Sequence, residues 1–263
     1  MLTGKQIYAA RKAKHWTQAQ LADKVGVSSE AISKWERDVY SPDSFNREIL
    51  YEVLGLDYLE EDGSPRNGRL FNEDRMSSFL KGKLSAEEYP NAVKALSFAK
   101  KKHAGQFRKP RELEIPYIIH PLTMVCHALA MGLEDDILLA ALMLHDVCED
   151  CNLSIVDLPV SSEVRDIVRL VTKSKAGFSE EAYYEAILDN PKACLVKCID
   201  RCNNLSSMAL GFPPAKIREY IYETAEWYPS LLRTVKSVPE YNNAAWLLSY
   251  QIRSLLQTAK RIE

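Results

Sequence analysis

The stretch Asp135-Asp136-Ile137-Leu138-Leu139-Ala140-Ala141-Leu142-Met143-Leu144-His145-Asp146-Val147-Cys148-Glu149-Asp150 opens on two acids, continues through eight apolar residues and closes on six positions of which five are polar or ionisable. Acids at a first turn favour a helix start, and a body that is apolar all the way round predicts a buried helix. Bringing His145, Asp146, Glu149 and Asp150 to the end of a core helix is costly unless something pairs them, and a divalent cation is the simplest partner. His145 with Glu149, and Asp146 with Asp150, are each i,i+4, so each pair shares a face on a continuous helix. One face can then hold an ion while the next turn positions water or substrate.

The neighbouring sequence strengthens this reading. His120 precedes Pro121, and proline is preorganised for a first helical position, so His120 is expected at the start of a helix running to about residue 131 and closed by Gly132. Further on, Leu195-Val196-Lys197-Cys198-Ile199-Asp200-Arg201-Cys202-Asn203-Asn204-Leu205 reads as an apolar helix interrupted by Asp200, with Asn204 i,i+4 to it. A mixed imidazole and carboxylate set suits Mn²⁺, Fe²⁺, Zn²⁺ or Mg²⁺. Such an ion with open positions lowers the pKa of a bound water. Of the remaining histidines in this region, His103 and His127 are expected to be packing or supporting residues. Cys148 and Cys151, and the i, i+4, i+8 series Cys194, Cys198 and Cys202, are expected to be small core thiols rather than a zinc site.

The first 58 residues read as a string of short helices. Thr17 caps a helix to Val25, with Gln20 completing a capping box; Gly26 stops it, and Ser28 caps a second helix to about Arg37. Helix, short glycine turn, helix is the helix-turn-helix plan. Trp16-Thr17-Gln18, Leu21-Ala22, Gly26-Val27-Ser28, Ile32-Ser33-Lys34-Trp35-Glu36-Arg37 and Ser41-Pro42 together resemble the Cro/XRE helix-turn-helix family. The resemblance implies a recognition helix in a DNA major groove, with Ser28, Ser29, Glu30, Ser33 and Lys34 facing DNA. Residues 1–40 carry seven Lys or Arg against four Asp or Glu. That excess is modest for a phosphate-dominated interaction, so a homodimer is expected to be needed.

Composition is that of an ordinary globular protein: 263 residues, 46% hydrophobic, 27% charged, with 10 Gly and 12 Pro. A net charge of −2 argues against a chain-wide nucleic-acid surface. The run Ile137 to Leu144 is too short to span a bilayer. No apolar leader follows Met1, and the six cysteines are expected to be reduced, so a cytoplasmic protein without membrane association is expected. Helical spacing dominates, and the fold class is all-α: an N-terminal helix-turn-helix module of four or five helices over residues 1–58, a linker over 59–85, and a larger helical bundle over 86–263. Residues 215–263 are expected to pack on that bundle or to form a dimer face, with their Tyr and Trp residues in the core.

The second half carries a further resemblance. His120-Pro121, His145-Asp146, Glu149-Asp150 and Asp200-Arg201 followed by Asn204 look like the HD phosphohydrolase superfamily. The ordered run of His103-Ala104-Gly105-Gln106-Phe107-Arg108-Lys109, Pro116-Tyr117-Ile118-Ile119-His120-Pro121, Leu144 to Asp150, Val171-Thr172-Lys173 and Val196-Lys197 is similar to the alarmone (ppGpp) hydrolase domain of RelA/SpoT-type enzymes, over about residues 92–210. The resemblance implies metal ligation by His120, His145, Asp146 and Asp200, usually of Mn²⁺. It implies that Glu149 and Asp150 orient or deprotonate the attacking water, and that Arg108 and Lys109 hold base and phosphates with Asn204 near the ribose. It implies release of pyrophosphate from the 3′ position of a guanosine polyphosphate. The local charge agrees, since Lys101, Lys102, Arg108, Lys109 and Arg111 cluster upstream of His120 and phosphoryl transfer needs cations. Two departures stand out. The segment between Arg108-Lys109 and Pro116 is long and charged. The late motif, commonly Ala-Asp-Arg-Leu-His-Asn-Met, here reads Ile199-Asp200-Arg201-Cys202-Asn203-Asn204-Leu205. With about 50 residues after position 210, hydrolysis alone is expected. An alarmone-sensing regulator with little turnover, or an HD phosphohydrolase for another nucleotide, are the alternatives.

Overall fold

A computed structural model describes residues 2–56, 73–108, 115–173, 177–208 and 211–262. The chain divides into two units, Met1–Arg69 and Leu70–Glu263.

The smaller unit is built from α1 (Gly4–Ala13), α2 (Gln18–Val25), α3 (Ser29–Glu36) and α4 (Ser44–Leu54). Each start is chemically marked. Thr3 and Thr17 form capping boxes with Gln6 and Gln20, and the Ser28 hydroxyl accepts from the Ala31 amide. Such caps satisfy first-turn N–H groups that have no partner within the helix. Gly26 ends α2 at φ 77°, a left-handed conformation that glycine adopts without a Cβ clash. Ile7, Leu21, Ile32, Trp35 and Leu50 form the core. Beneath it the Glu36 carboxylate accepts from the Arg11 guanidinium, at 2.8 Å for Nη2, and from Gln18 Nε2 at 2.8 Å.

The larger unit contains α5 (Glu73–Ala86), α6 (Pro90–Lys102), α7 (Ile119–Ala130), α8 (Asp136–Leu144), α9 (Val147–Asp150), α10 (Ser162–Val171), α11 (Glu180–Leu188), α12 (Pro191–Ser207), α13 (Pro214–Lys236) and α14 (Asn242–Ile262). Helix α8 is buried continuously from Leu138 to Leu144. It packs on α6, α7, α10 and α12, while α12 also meets α11, α13 and α14. These two helices form the centre of the bundle. The all-α expectation holds: the β-pairing among the described residues is an isolated antiparallel bridge, Phe107 to Pro116. No helix among them is long and apolar enough to cross a membrane.

Three expectations are corrected. The span 59–85 is not linker throughout, because α5 occupies its second half and buries Met76, Leu80 and Leu84; their spacing of four residues places them on one helical face. Residues 57–72 lie outside the described part. The helix entered at Asp136 does not run on to Asp150. It ends at Leu144, and His145 and Asp146 form a turn, Asp146 at φ −104°, ψ −7°, before the short α9 begins. Finally, Trp246 and Tyr250 are not in the core. They stack on each other on the outer face of α14, 69% and 63% exposed, because Ala244, Ala245, Leu248 and Ile252 occupy its inner face.

Candidate metal centre

The break after Leu144 is what places His145 and Asp146. The ring Nδ1 of His145 donates to the Leu142 carbonyl at 2.9 Å, which directs Nε2 into the bundle. His120, in the first turn of α7, points its Nε2 to the same place, and the two rings meet edge to face at 5.1 Å. From α12, Asp200 completes a group in which one donor atom each from His120, His145 and Asp200 lie within 4.8 Å of one another, all three residues buried. Asp146 joins them at the more open side, with Oδ2 2.8 Å from His145 Nε2 and 3.8 Å from His120 Nε2. Asp200 Oδ1 is 3.2 Å from His120 Nε2 and 3.7 Å from His145 Nε2.

This donor set fits a divalent cation. His145 Nε2 is buried without a hydrogen-bond partner, since Asp146, though close, lies off the line of a hydrogen bond. A ring whose Nδ1–H is held by a carbonyl presents Nε2 as a free lone pair. The electrostatics agree. Burial disfavours charge on all these groups, yet Asp146 and Asp200 are held well below the usual carboxylate range, Asp146 by His145 and Asp200 by Lys197 and both imidazoles. The same carboxylates outweigh burial at His145 and push it up to about 9. The cluster therefore demands positive charge at its centre, which an ion supplies in place of a proton.

The flanking groups are held by a second layer of contacts. Tyr117 Oη donates to Asp146 Oδ2 at 2.6 Å, and its ring stacks on His103, whose Nδ1 meets Gln106 at 2.7 Å. His120 Nδ1 lies 2.6 Å from Asn203 Oδ1. Asn204 Nδ2 donates to Asp200 Oδ1 at 2.6 Å, and Arg108 Nη2 donates to Asn204 Oδ1 at 2.8 Å. Buried Lys197 lies 3.4 Å from Asp200 Oδ2. Glu149 and Asp150 project from α9. Glu149 accepts from the Lys173 amide, and burial pushes its carboxyl up. Asp150 lies beside Tyr117 and Asp146 and is raised by burial and by the Asp146 charge.

Of the sequence-derived residues, His120, His145, Asp146 and Asp200 meet at one point, Asn204 and Arg108 are joined to it through Asp200, and Asp150 lies beside Asp146, whereas Glu149 is tied to the Lys173 amide. Lys109 lies outside the described residues, as does most of the charged segment that follows it. Sequence reasoning missed Tyr117, Asn203 and Lys197 as members of the site. Tyr117 is 29 positions from the carboxylate it contacts, so no spacing rule connects them. Asn203 was overshadowed by Asn204, which alone has the i,i+4 relation to Asp200. His103 supports Tyr117, as the packing reading had it, and Cys194 and Cys198 are buried core thiols.

In the smaller unit Ser29 and Glu30 are exposed on α3 and Ser33 and Lys34 partly so, while the Ser28 hydroxyl serves as a cap. Lys34 Nζ pairs with Glu30 at 2.7 Å.

The metal-binding cluster lies in the larger unit, and the helix-turn-helix module precedes it in the chain. A family profile described as Helix-turn-helix matches residues 7–59. The guanosine-3′,5′-bis(diphosphate) 3′-pyrophosphohydrolase of Aquifex aeolicus (strain VF5) is 35% identical over 147 residues, covering 52% of this chain and 20% of the relative. The guanosine-3′,5′-bis(diphosphate) 3′-pyrophosphohydrolase MESH1 of Xenopus tropicalis is 32% identical over 152 residues, covering 55% of this chain and 84% of the relative. The corresponding Homo sapiens protein is 30% identical over 155 residues, covering 56% and 85%. A solved structure described as a metazoan ortholog of SpoT that hydrolyzes ppGpp aligns at TM-score 0.49 and 24% identity, covering 64% of this chain and 95% of that one. The chain belongs to the guanosine-3′,5′-bis(diphosphate) 3′-pyrophosphohydrolase family. It spans a fifth of the Aquifex relative and most of the MESH1 relatives.

Proposed function

We propose that this chain hydrolyses (p)ppGpp-like nucleotides, releasing pyrophosphate from the 3′ position, and that its helix-turn-helix module binds DNA. The convergence of His120, His145, Asp146 and Asp200 on one buried point carries the catalytic reading. These four would hold Mn²⁺, which when bound supplies Lewis-acid activation of water and neutralises charge developing on the phosphates. The chain's own residues supply the rest. Glu149 and Asp150, on the turn after the ligands, orient the attacking water and accept its proton; burial raises both carboxyls. Arg108, bonded to Asn204, together with Lys109 holds base and phosphates, and Asn204 contacts the ribose. The bundle excludes bulk water behind the cluster, which strengthens every charge interaction inside it.

For DNA, Ser28, Ser29, Glu30, Ser33 and Lys34 form the candidate reading surface. The Glu30–Lys34 pair leaves that surface with little net positive charge, which favours a homodimer as the binding species. A cytoplasmic location accords with the free thiols.

Purified protein incubated with Mn²⁺ and a panel of guanosine and adenosine polyphosphates tests the catalytic reading. Pyrophosphate release from a guanosine 3′-diphosphate is expected, with a loss of about 10³-fold or more in Asp146→Ala, which removes a ligand. Mn²⁺-loaded protein that releases no pyrophosphate from any of them would overturn it.

A further inference from the structure

The two imidazoles of the cluster are held from behind by different means. His145 is anchored by a backbone carbonyl, that of Leu142, which no substitution removes. His120 is anchored by a side chain, Asn203, with Oδ1 2.6 Å from Nδ1. His120 is 2% exposed, so water does not replace that contact. The residue is also one where this chain departs from the common late motif, carrying an amide in place of an imidazole.

We propose that Asn203 is a positioning residue for the ion: its amide oxygen accepts the Nδ1–H of His120 and so leaves Nε2 with a lone pair aimed at the cluster. This rests on the metal-centre reading above and adds to it which group sets the tautomer. A neutral imidazole carries one N–H and one lone pair. If the amide presented Nδ2 to the ring instead, Nδ1 would become the acceptor and the proton would move to Nε2, facing Asp200 and Asp146, where it would block ligation. With Oδ1 toward Nδ1 the ring is preset for binding. Asn203 lies one full turn before Ser207, whose hydroxyl donates to the Asn203 carbonyl at 3.1 Å, and directly before Asn204, whose own amide is taken by Asp200 and Arg108. The Asn203-Asn204 doublet thus divides its work. The first orients an imidazole ligand, and the second orients a carboxylate ligand.

The test is Mn²⁺ affinity, measured on the full chain by competition with a fluorescent chelator. Groups that orient a ligating histidine typically contribute about 10- to 100-fold in metal affinity. Asn203→Ala is expected to weaken Mn²⁺ binding by about that factor, whereas Asn203→Asp, which keeps an acceptor and removes the donor, is expected to bind at least as tightly as the unaltered protein. With Zn²⁺ as a diamagnetic stand-in, the Nδ1–H proton of His120 should be protected from exchange in the unaltered protein and in Asn203→Asp, and exposed to it in Asn203→Ala. Should the alanine variant fail to fold, as judged by its unfolding midpoint without metal, Asn203→Leu fills the same volume without an acceptor and is expected to show the same loss. Unchanged affinity in the alanine or leucine variant, or a loss in Asn203→Asp equal to theirs, overturns the proposal while leaving the metal centre standing. Failure of the unaltered protein to bind Mn²⁺ overturns the metal centre itself, and this proposal with it.

Discussion

Each imidazole has one nitrogen turned to the centre and the other secured behind it, His145 by Leu142 and His120 by Asn203, whereas each carboxylate is held at the oxygen that faces the centre, Asp146 Oδ2 by Tyr117 and Asp200 Oδ1 by Asn204. Such support fixes ligand geometry before the ion arrives and lowers the entropy lost on binding. Glu149 differs in kind, since its carboxylate is tied to the Lys173 amide and does not belong to the buried His120, His145 and Asp200 group. Replacing it with Gln keeps size and an acceptor but removes the ability to take a proton. Turnover in Glu149→Gln is expected to fall by about 10²- to 10⁴-fold, the usual worth of a general base, with Mn²⁺ affinity held within a few-fold. An equal loss in both quantities would make Glu149 part of the ion site instead. At this scale the residue types were legible. His, Asp and Glu stranded in apolar sequence need partners wherever they are. The supporting residues were not, because Tyr117 and Asn203 are ordinary in sequence and acquire meaning only through contacts 29 and 83 positions away.

Helices α2, α3, α8, α10 and α12 start at a side-chain cap, and a helix without one shows how the bundle is held together. Thr17 with Gln20 and Ser28 were readable as starts of α2 and α3 because a cap acts within three residues. Helix α6 has no side-chain cap of its own. The Asp136 carboxylate of α8 supplies it, accepting from the Ala92 amide at 2.8 Å, the Asn91 amide at 3.2 Å and Asn91 Nδ2 at 2.8 Å. Its neighbour Asp135 caps α8 itself through the Leu138 amide at 2.7 Å. Sequence alone read both acids as one helix start. Asp136→Ala is expected to destabilise the larger unit by about 1–3 kcal/mol, the cost of leaving part-buried amides without a charged acceptor. Asp135→Ala is expected to cost about 1 kcal/mol, as an ordinary cap does. Urea unfolding of the two variants checks this, and equal losses would mean that Asp136 does not join the two helices. The interruption of α8 at His145 was likewise invisible. No glycine or proline marks the break between Leu144 and Val147.

Across the larger unit, α12 carries the ligand Asp200 on one side and is tied to α13 on the other. Arg201 bonds Glu223, lies between the rings of Tyr220 and Tyr228, and shares Glu223 with Lys173 at 3.0 Å and Tyr184 at 2.7 Å. Burial works against ionisation of Glu223, but Arg201 and Lys173 more than reverse it and lower the carboxyl to about 2. Its folded pKa is below the unfolded value near 4.5, so the folded state binds fewer protons in that window. The stabilisation is full above about pH 4.5 and is lost as pH falls toward 2, by about 3 kcal/mol in all. Stability measured from pH 6 to 2 is expected to fall in this window, and the fall should be shallower in Glu223→Gln. An identical slope in that variant would assign the acid sensitivity elsewhere. What the amino-acid order determined by itself was local: helical periodicity, the glycine and hydroxyl signals of the small unit, and the chemical strangeness of buried acids and histidines, all set by interactions a few residues long. What folding in three dimensions decided was which distant groups meet: the orientation of each imidazole, the cap lent from α8 to α6, and the outward turn of Trp246. Those depend on where helix axes cross in a densely packed bundle, and sequence spacing holds no record of that.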